Sequence, residues 1–165
     1  LIIYVPKFDY IQGRILSFFD RETGTHNFQS DKAIDSITSG GFFGKGIGEG
    51  TLKNRVPEAH TDYIISVISE EFGVIAIILI LLMFLVLIYS VFKKINLENK
   101  ERTKLVLVGC VSLILLQAMI HIGVNIRLFP TTGMTLPFIS YGGSSIISIS
   151  ILSGIILNLT KRRVS

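Results

Sequence analysis

Tryptophan is absent, and cysteine occurs once, at Cys110 inside an apolar run. A lone cysteine excludes an intrachain disulfide and a cysteine-based metal centre, and it leaves the redox compartment unread. Charge is also scarce: 17% of the 165 residues are Asp, Glu, Lys or Arg, against about a quarter in an ordinary soluble domain. The net charge of +4 comes without the basic stripe or aromatic platform that a nucleic-acid partner requires. There is no signal peptide. The opening residues Leu1-Ile-Ile-Tyr-Val5 read instead as the last turn of a preceding helix, so a longer protein is expected.

Apolar residues fill the space that charge leaves. They make up 49% of the chain, and the mean hydropathy is +0.60, which selects a membrane protein. Three spans are predicted, at 74–92, 105–126 and 138–159. The first carries no charge and, at about 1.5 Å rise per residue, matches the hydrocarbon thickness. The connector between the first two spans holds Lys93, Lys94, Lys100, Arg102 and Lys104, and the tail at 160–165 holds Lys161, Arg162 and Arg163. Arg127 alone marks the turn between the second and third spans. Basic residues favour the cytoplasmic side, so the connector and C-terminus are expected there. Residues 6–73 and the 127–137 turn then fall outside.

Residues 6–61 are too polar to span. Asp20-Arg-Glu-Thr-Gly24 reads as a turn, and residues 30–37 as a short helix capped by Ser30 or Asp31, with Ala33, Ile34 and Ile37 on one side. The run Gly40-Gly-Phe-Phe-Gly-Lys-Gly-Ile-Gly-Glu-Gly50 invites nucleotide readings that fail. Ser39 stands where a P-loop needs its first glycine, Gly46 stands where it needs a hydroxyl, and the dinucleotide pattern breaks at Glu49. Two uses remain. Backbone amides and Lys45 can approach an anionic head group, or the run is a connector whose Phe42 and Phe43 dip into the membrane interface.

Between this run and the first span lies Val56-Pro-Glu-Ala-His-Thr-Asp62, followed by Glu70 and Glu71. Carboxylates at the mouth of a membrane helix are penalised if they enter the bilayer. Glu58 and Asp62 are four residues apart and would share a face if the segment is helical. A polar reaction head and a solvated helix entrance both fit. In the second span Gln117, His121 and Asn125 form one polar line, either lining a passage for a polar substrate or bonding helices together. Ser140, Ser144 and Ser148 repeat that spacing in the third span beside Gly142 and Gly143, which points to close packing.

Taken together, Phe28-Gln29, residues 39–50, Pro57-Glu-Ala-His-Thr-Asp62, Glu70-Glu-Phe-Gly73 and Leu128–Ser145, with its Pro137-Phe-Ile-Ser-Tyr-Gly-Gly-Ser-Ser145, resemble the SEDS family (shape, elongation, division and sporulation; FtsW and RodA). The likeness covers nearly the whole chain. Gly48-Glu-Gly-Thr-Leu-Lys53 is more similar to the division branch, FtsW, than to the elongation branch; Thr132 departs from the Lys common in that branch. The resemblance implies an all-α polytopic bundle of about ten spans, of which this chain, as one domain over 1–165, holds three and the tip of a fourth. It implies polymerisation of lipid II into glycan strands on the outer face of the bacterial cytoplasmic membrane, with a class B penicillin-binding protein and other divisome proteins as partners. It places the catalytic carboxylate on Asp62, and it implies no independent activity for this stretch alone.

Such chemistry needs a base for the acceptor hydroxyl and positive charge for a departing pyrophosphate. Asp62 is the candidate base, its basicity raised by partial burial or by Glu58. Glu58 and His60 are candidate substrate contacts. Lys45, Lys53, Arg55, Arg14 and Arg127 are candidate pyrophosphate ligands, though each also suits a lipid head group. No metal site is assigned; a magnesium or manganese ion bridging pyrophosphate to Glu58 or Asp62 is compatible with these hard oxygens. Two rival functions are a lipid II flippase using the Gln117–His121–Asn125 line, and a scaffold that recruits a synthase.

Overall fold

The computed structural model describes residues 25–56 and 59–161, and for residues 25–28 and Lys53 the backbone alone. The apolar stub at 1–5, Arg14, the turn at 20–24, Glu58, Arg162 and Arg163 lie outside the described residues. The helices are α1 (Thr25–Gly40), α2 (Leu52–Arg55), α3 (Ile64–Leu97), α4 (Glu101–Asn125) and α5 (Gly143–Thr160). Among the described residues there is no strand, and α3, α4 and α5 are each long and apolar enough to cross a membrane. This is the helical, multi-pass architecture expected.

The three long helices run down, up and down. Their lower ends meet around Lys94, Leu97, Glu98, Leu107, Thr160 and Lys161. The basic connector is shorter than expected because α3 continues to Leu97 and α4 starts at Glu101. Only residues 98–100 lie between them, and Glu98 Oε1 accepts the amides of Asn99 and Lys100. Val91, Ile95, Leu107, Cys110, Val111, Ile114, Ile149 and Ile156 form the core of this half. Most other apolar side chains of α3 face outward, as on a helix surrounded by lipid or by further spans.

At the upper end α1 lies against the first turns of α3, over a core of Ala33, Leu52, Val56, Ala59, Tyr63, Val67 and Val124. The short helix expected at 30–37 extends over Thr25–Gly40. Ser30, expected as a cap, is buried within it. Small residues let the two backbones approach: a Cβ on Gly40 would lie 2.0 Å from the Ser69 carbonyl oxygen.

α3 is two helical pieces joined at Gly73, whose φ of 78° and ψ of −177° are open to glycine alone. The break frees carbonyls and an amide at the edge of the apolar run, where each would cost energy unpaired. The glycine run fills it. Lys45 N donates to Glu70 O at 2.8 Å, Gly46 N donates to Glu71 O at 3.1 Å, and Val74 N donates to Gly41 O at 3.0 Å. Side chains would block this fit: a Cβ on Gly44 would sit 2.1 Å from Glu71 O. Two of the amides that one of the two open readings offered to an anion, those of Lys45 and Gly46, are thus taken up by α3. Phe42 and Phe43 stand 75% and 84% exposed beside the break.

One expectation fails at the third span. α5 begins at Gly143, so Ser140 is not on the helix with Ser144 and Ser148. Residues 137–140 form a turn, with Phe138 left-handed at φ 67°. The serine spacing is therefore not a helical stripe, and Ser148 Oγ merely bonds back to Ser144 O.

Candidate functional site

Residues 59–63 form turns ahead of α3, so the helical i, i+4 face expected for Glu58 and Asp62 is not formed on this side of the gap. Their carbonyls consequently need partners from elsewhere. His60 O accepts Tyr141 N at 3.3 Å. Thr61 O accepts Ser140 Oγ at 2.8 Å, and Asp62 O accepts Asn125 Nδ2 at 2.9 Å.

The polar line of α4 supplies part of this framework. Asn125 is fully buried. Its Nδ2 also donates to His121 O, and its Oδ1 accepts both Ser66 Oγ at 2.8 Å and Ser66 N. His121 Nδ1 lies 2.8 Å from Met134 O, the geometry of an N–H donor to that carbonyl. Gln117 Nε2 donates to Thr135 O at 2.9 Å and to Ser145 Oγ at 3.1 Å. The line therefore bonds α4 to the head, to the 131–137 segment and to α5, which is the second of the two roles open to it. Within this line, among the described residues, His121 Nε2 is buried without a partner.

This bonding brings the 131–137 segment over Asp62. Gly133, at φ 70°, faces the carboxylate: a Cβ there would be 3.7 Å from Asp62 Oδ2. Asp62 is half-buried, His60 is exposed, and Thr132 is exposed next to Gly133.

The cationic candidates separate into groups. Lys45 is engaged by Glu70, Nζ to Oε1 at 2.9 Å. Glu70 is 1% exposed and also accepts Thr51 N, Thr51 Oγ1 and Leu52 N, each at 3.0 Å. Four donors on two acceptor oxygens is the environment of an ionised carboxylate, and it ties the glycine run and α2 to α3. Arg55, at the end of α2, is exposed and lines a cleft of about 220 Å³ with Lys32, Lys45, Thr51 and Glu70. Lys53 occupies α2 beside it. Arg127 pairs with Asp31 of α1. It also ends α4 in the left-handed conformation, at φ 59°, with Leu128 N donating to Gly123 O at 2.7 Å. That is a helix-terminating arrangement usually built on glycine.

Lys45 and Arg55 are thus gathered in one cleft, while Arg127 is committed to α1. Sequence reasoning missed Ser66 and Ser140 as anchors of the Asp62 segment, and it missed Glu70 as an anchor of the loop. Ser140 was visible only as part of an apparent helical stripe. Glu70 was visible only as one of several acids. Among the described residues no three His, Cys, Asp or Glu side chains converge as a metal site.

The fold and site define a multi-pass helical membrane protein that holds an acidic residue in a braced polar head at one end of its bundle. The chain belongs to the cell cycle protein family of FtsW, RodA and SpoVE, whose pattern matches residues 1–164. It is 40% identical over 158 residues to the probable peptidoglycan glycosyltransferase FtsW of Caulobacter vibrioides, covering 94% of this chain and 40% of that one. It is 34% identical over 174 residues to the protein of the same description from Enterococcus hirae, covering 99% and 44%. A solved chain described under "Structural coordination of polymerization and crosslinking by a peptidoglycan synthase complex" superposes with a TM-score of 0.73 at 25% identity, covering 92% of this chain and 41% of its own. The chain spans about two-fifths of the length of these relatives.

Proposed function

We propose that the complete protein is a peptidoglycan glycosyltransferase that polymerises lipid II during cell division, with the polar head on the outer face of the cytoplasmic membrane and the C-terminus inside. The observation that carries this reading is the half-buried Asp62 carboxylate, held on a braced backbone and faced by Gly133. The relatives' descriptions name the same activity.

In the proposed reaction the 4-hydroxyl of the acceptor sugar attacks the anomeric carbon of the donor. The new C–O bond forms as the bond to the polyprenyl pyrophosphate breaks, with inversion. Asp62 takes the hydroxyl proton, and cations stabilise the departing diphosphate. Arg55 and Lys53, a few residues upstream of Asp62, suit this second role better than Lys45 or Arg127, which are already ion-paired. His60, exposed beside Asp62, and Glu58 are the proposed sugar contacts. Arg14 remains a proposed cation. A divalent ion would be held by Asp62 or Glu58 and would supply positive charge to the leaving diphosphate.

The partner proposed is a class B penicillin-binding protein within the divisome, since the structural relative comes from a complex described as joining polymerisation to crosslinking. The flippase reading loses support, because Gln117 and Asn125 are occupied in bonds between helices. The test is Asp62→Asn in the complete protein with purified lipid II. Polymer formation is expected to stop while membrane insertion persists; undiminished polymer would overturn the assignment.

A further inference from the structure

We infer that Ser140 and Asn125 are positioning residues that set where the Asp62 carboxylate stands relative to the loop facing it. The inference rests on the reading of Asp62 as the base. Three consecutive carbonyls, of His60, Thr61 and Asp62, are each held by a donor distant in sequence: Tyr141 N, Ser140 Oγ and Asn125 Nδ2. Residues 59–63 form turns rather than a helix, and these donors hold the peptide planes from which the Asp62 side chain projects.

Ser140 does more than hold one plane. Its oxygen also accepts Leu136 N at 2.8 Å, and Leu136 belongs to the segment that places Gly133 3.7 Å from Asp62 Oδ2 when a Cβ is drawn on it. One buried hydroxyl therefore references both the base and the wall opposite it. Asn125 joins Asp62 O to Ser66 at the first turn of α3 in the same way. A base acts within about 2.6–3.2 Å of the proton it removes, and a displacement of about 1 Å costs on the order of 100-fold in rate. Loss of either side chain allows such a displacement without touching substrate.

The experiment compares Ser140→Ala, Ser140→Thr and Asn125→Ala in the complete protein, using lipid II and measuring kcat, KM, folded fraction and the pH profile of kcat. Ser140→Ala is expected to lower kcat per folded molecule by about 10- to 100-fold, with KM within about twofold. It should also move the acidic limb of the profile, which a smaller folded fraction leaves in place. Ser140→Thr, which keeps the hydroxyl, is expected to restore most of the rate. If Ser140→Ala is not recoverable as folded protein, Asn125→Ala must carry the same signature. A loss that merely follows the folded fraction, an unmoved acidic limb, or no recovery with threonine overturns the inference. Asp62→Asn separates the two levels: an active Asp62→Asn sinks the base itself, whereas an inactive one alongside a normal Ser140→Ala sinks only the positioning role.

Discussion

Asn125 donates its side-chain N–H to the main-chain carbonyl of Asp62, 63 positions away in sequence, at 2.9 Å. The bond grips the backbone and leaves the Asp62 carboxylate out of it. Asp62→Asn keeps that carbonyl, so the bond from Asn125 should survive the substitution. Asn125→Leu removes the partner of the half-buried Asp62 carbonyl and of the fully buried Ser66 hydroxyl and should cost about 2–3 kcal/mol. Chemical unfolding in detergent compares the two directly.

Glu70 ties its own segment to two others, the glycine run and the start of α2. Removing it in Glu70→Ala leaves the Thr51 and Leu52 amides and the Lys45 ammonium without their acceptor. A loss of about 2–3 kcal/mol is expected, at the low end for a buried ion pair because Lys45 is 37% exposed. Limited proteolysis should then cut within residues 41–51 faster than it does in the parent protein.

Gly73 is not replaceable on two separate grounds. Its backbone lies in a region closed to residues with a side chain, and a Cβ would stand 2.2 Å from the Phe42 carbonyl oxygen. Gly73→Ala is expected to cost about 3 kcal/mol. Its hydrogen exchange at Lys45, Gly46 and Val74 should rise together, since those three amides seal the break.

Gln117 separates chemistry from transport. Gln117→Leu removes bonds to Thr135 and Ser145 and should cost about 1–2 kcal/mol. It should leave the rate of lipid II passage across proteoliposomes at the level of empty vesicles, as in the parent. A passage rate that is high in the parent and abolished by Gln117→Leu would instead support a flippase.

The three spans could be read because uncharged runs of bilayer length have few other uses. Their limits fell within about five residues of α4, α5 and the piece of α3 that follows Gly73, while residues 64–73 of α3, up to and including that break, were not foreseen. Where the reading erred, the cause was distance along the chain. The glycine run is ambiguous by itself: nothing in residues 40–50 says that their amides meet Glu70 and Glu71. Ser140 fell into a four-residue spacing by coincidence, and only the turn at 137–140 shows that its hydroxyl serves Thr61 and Leu136. Asp62 was legible as an acid in a distinctive motif. Its bracing was not, because Asn125, Ser140 and Tyr141 lie 63 or more positions away in sequence, and no local pattern ties them to residues 60–62.

The joint at Gly73 gives residues 41–46 a role closer to a splint than to a surface connector. Adding or deleting one residue there would turn one half of α3 against the other by about 100° if the seal were to be kept. The acidic head and the bilayer-crossing shaft would then fall out of phase. Length variation, which exposed loops ordinarily absorb, should accordingly be confined to positions beyond the splint.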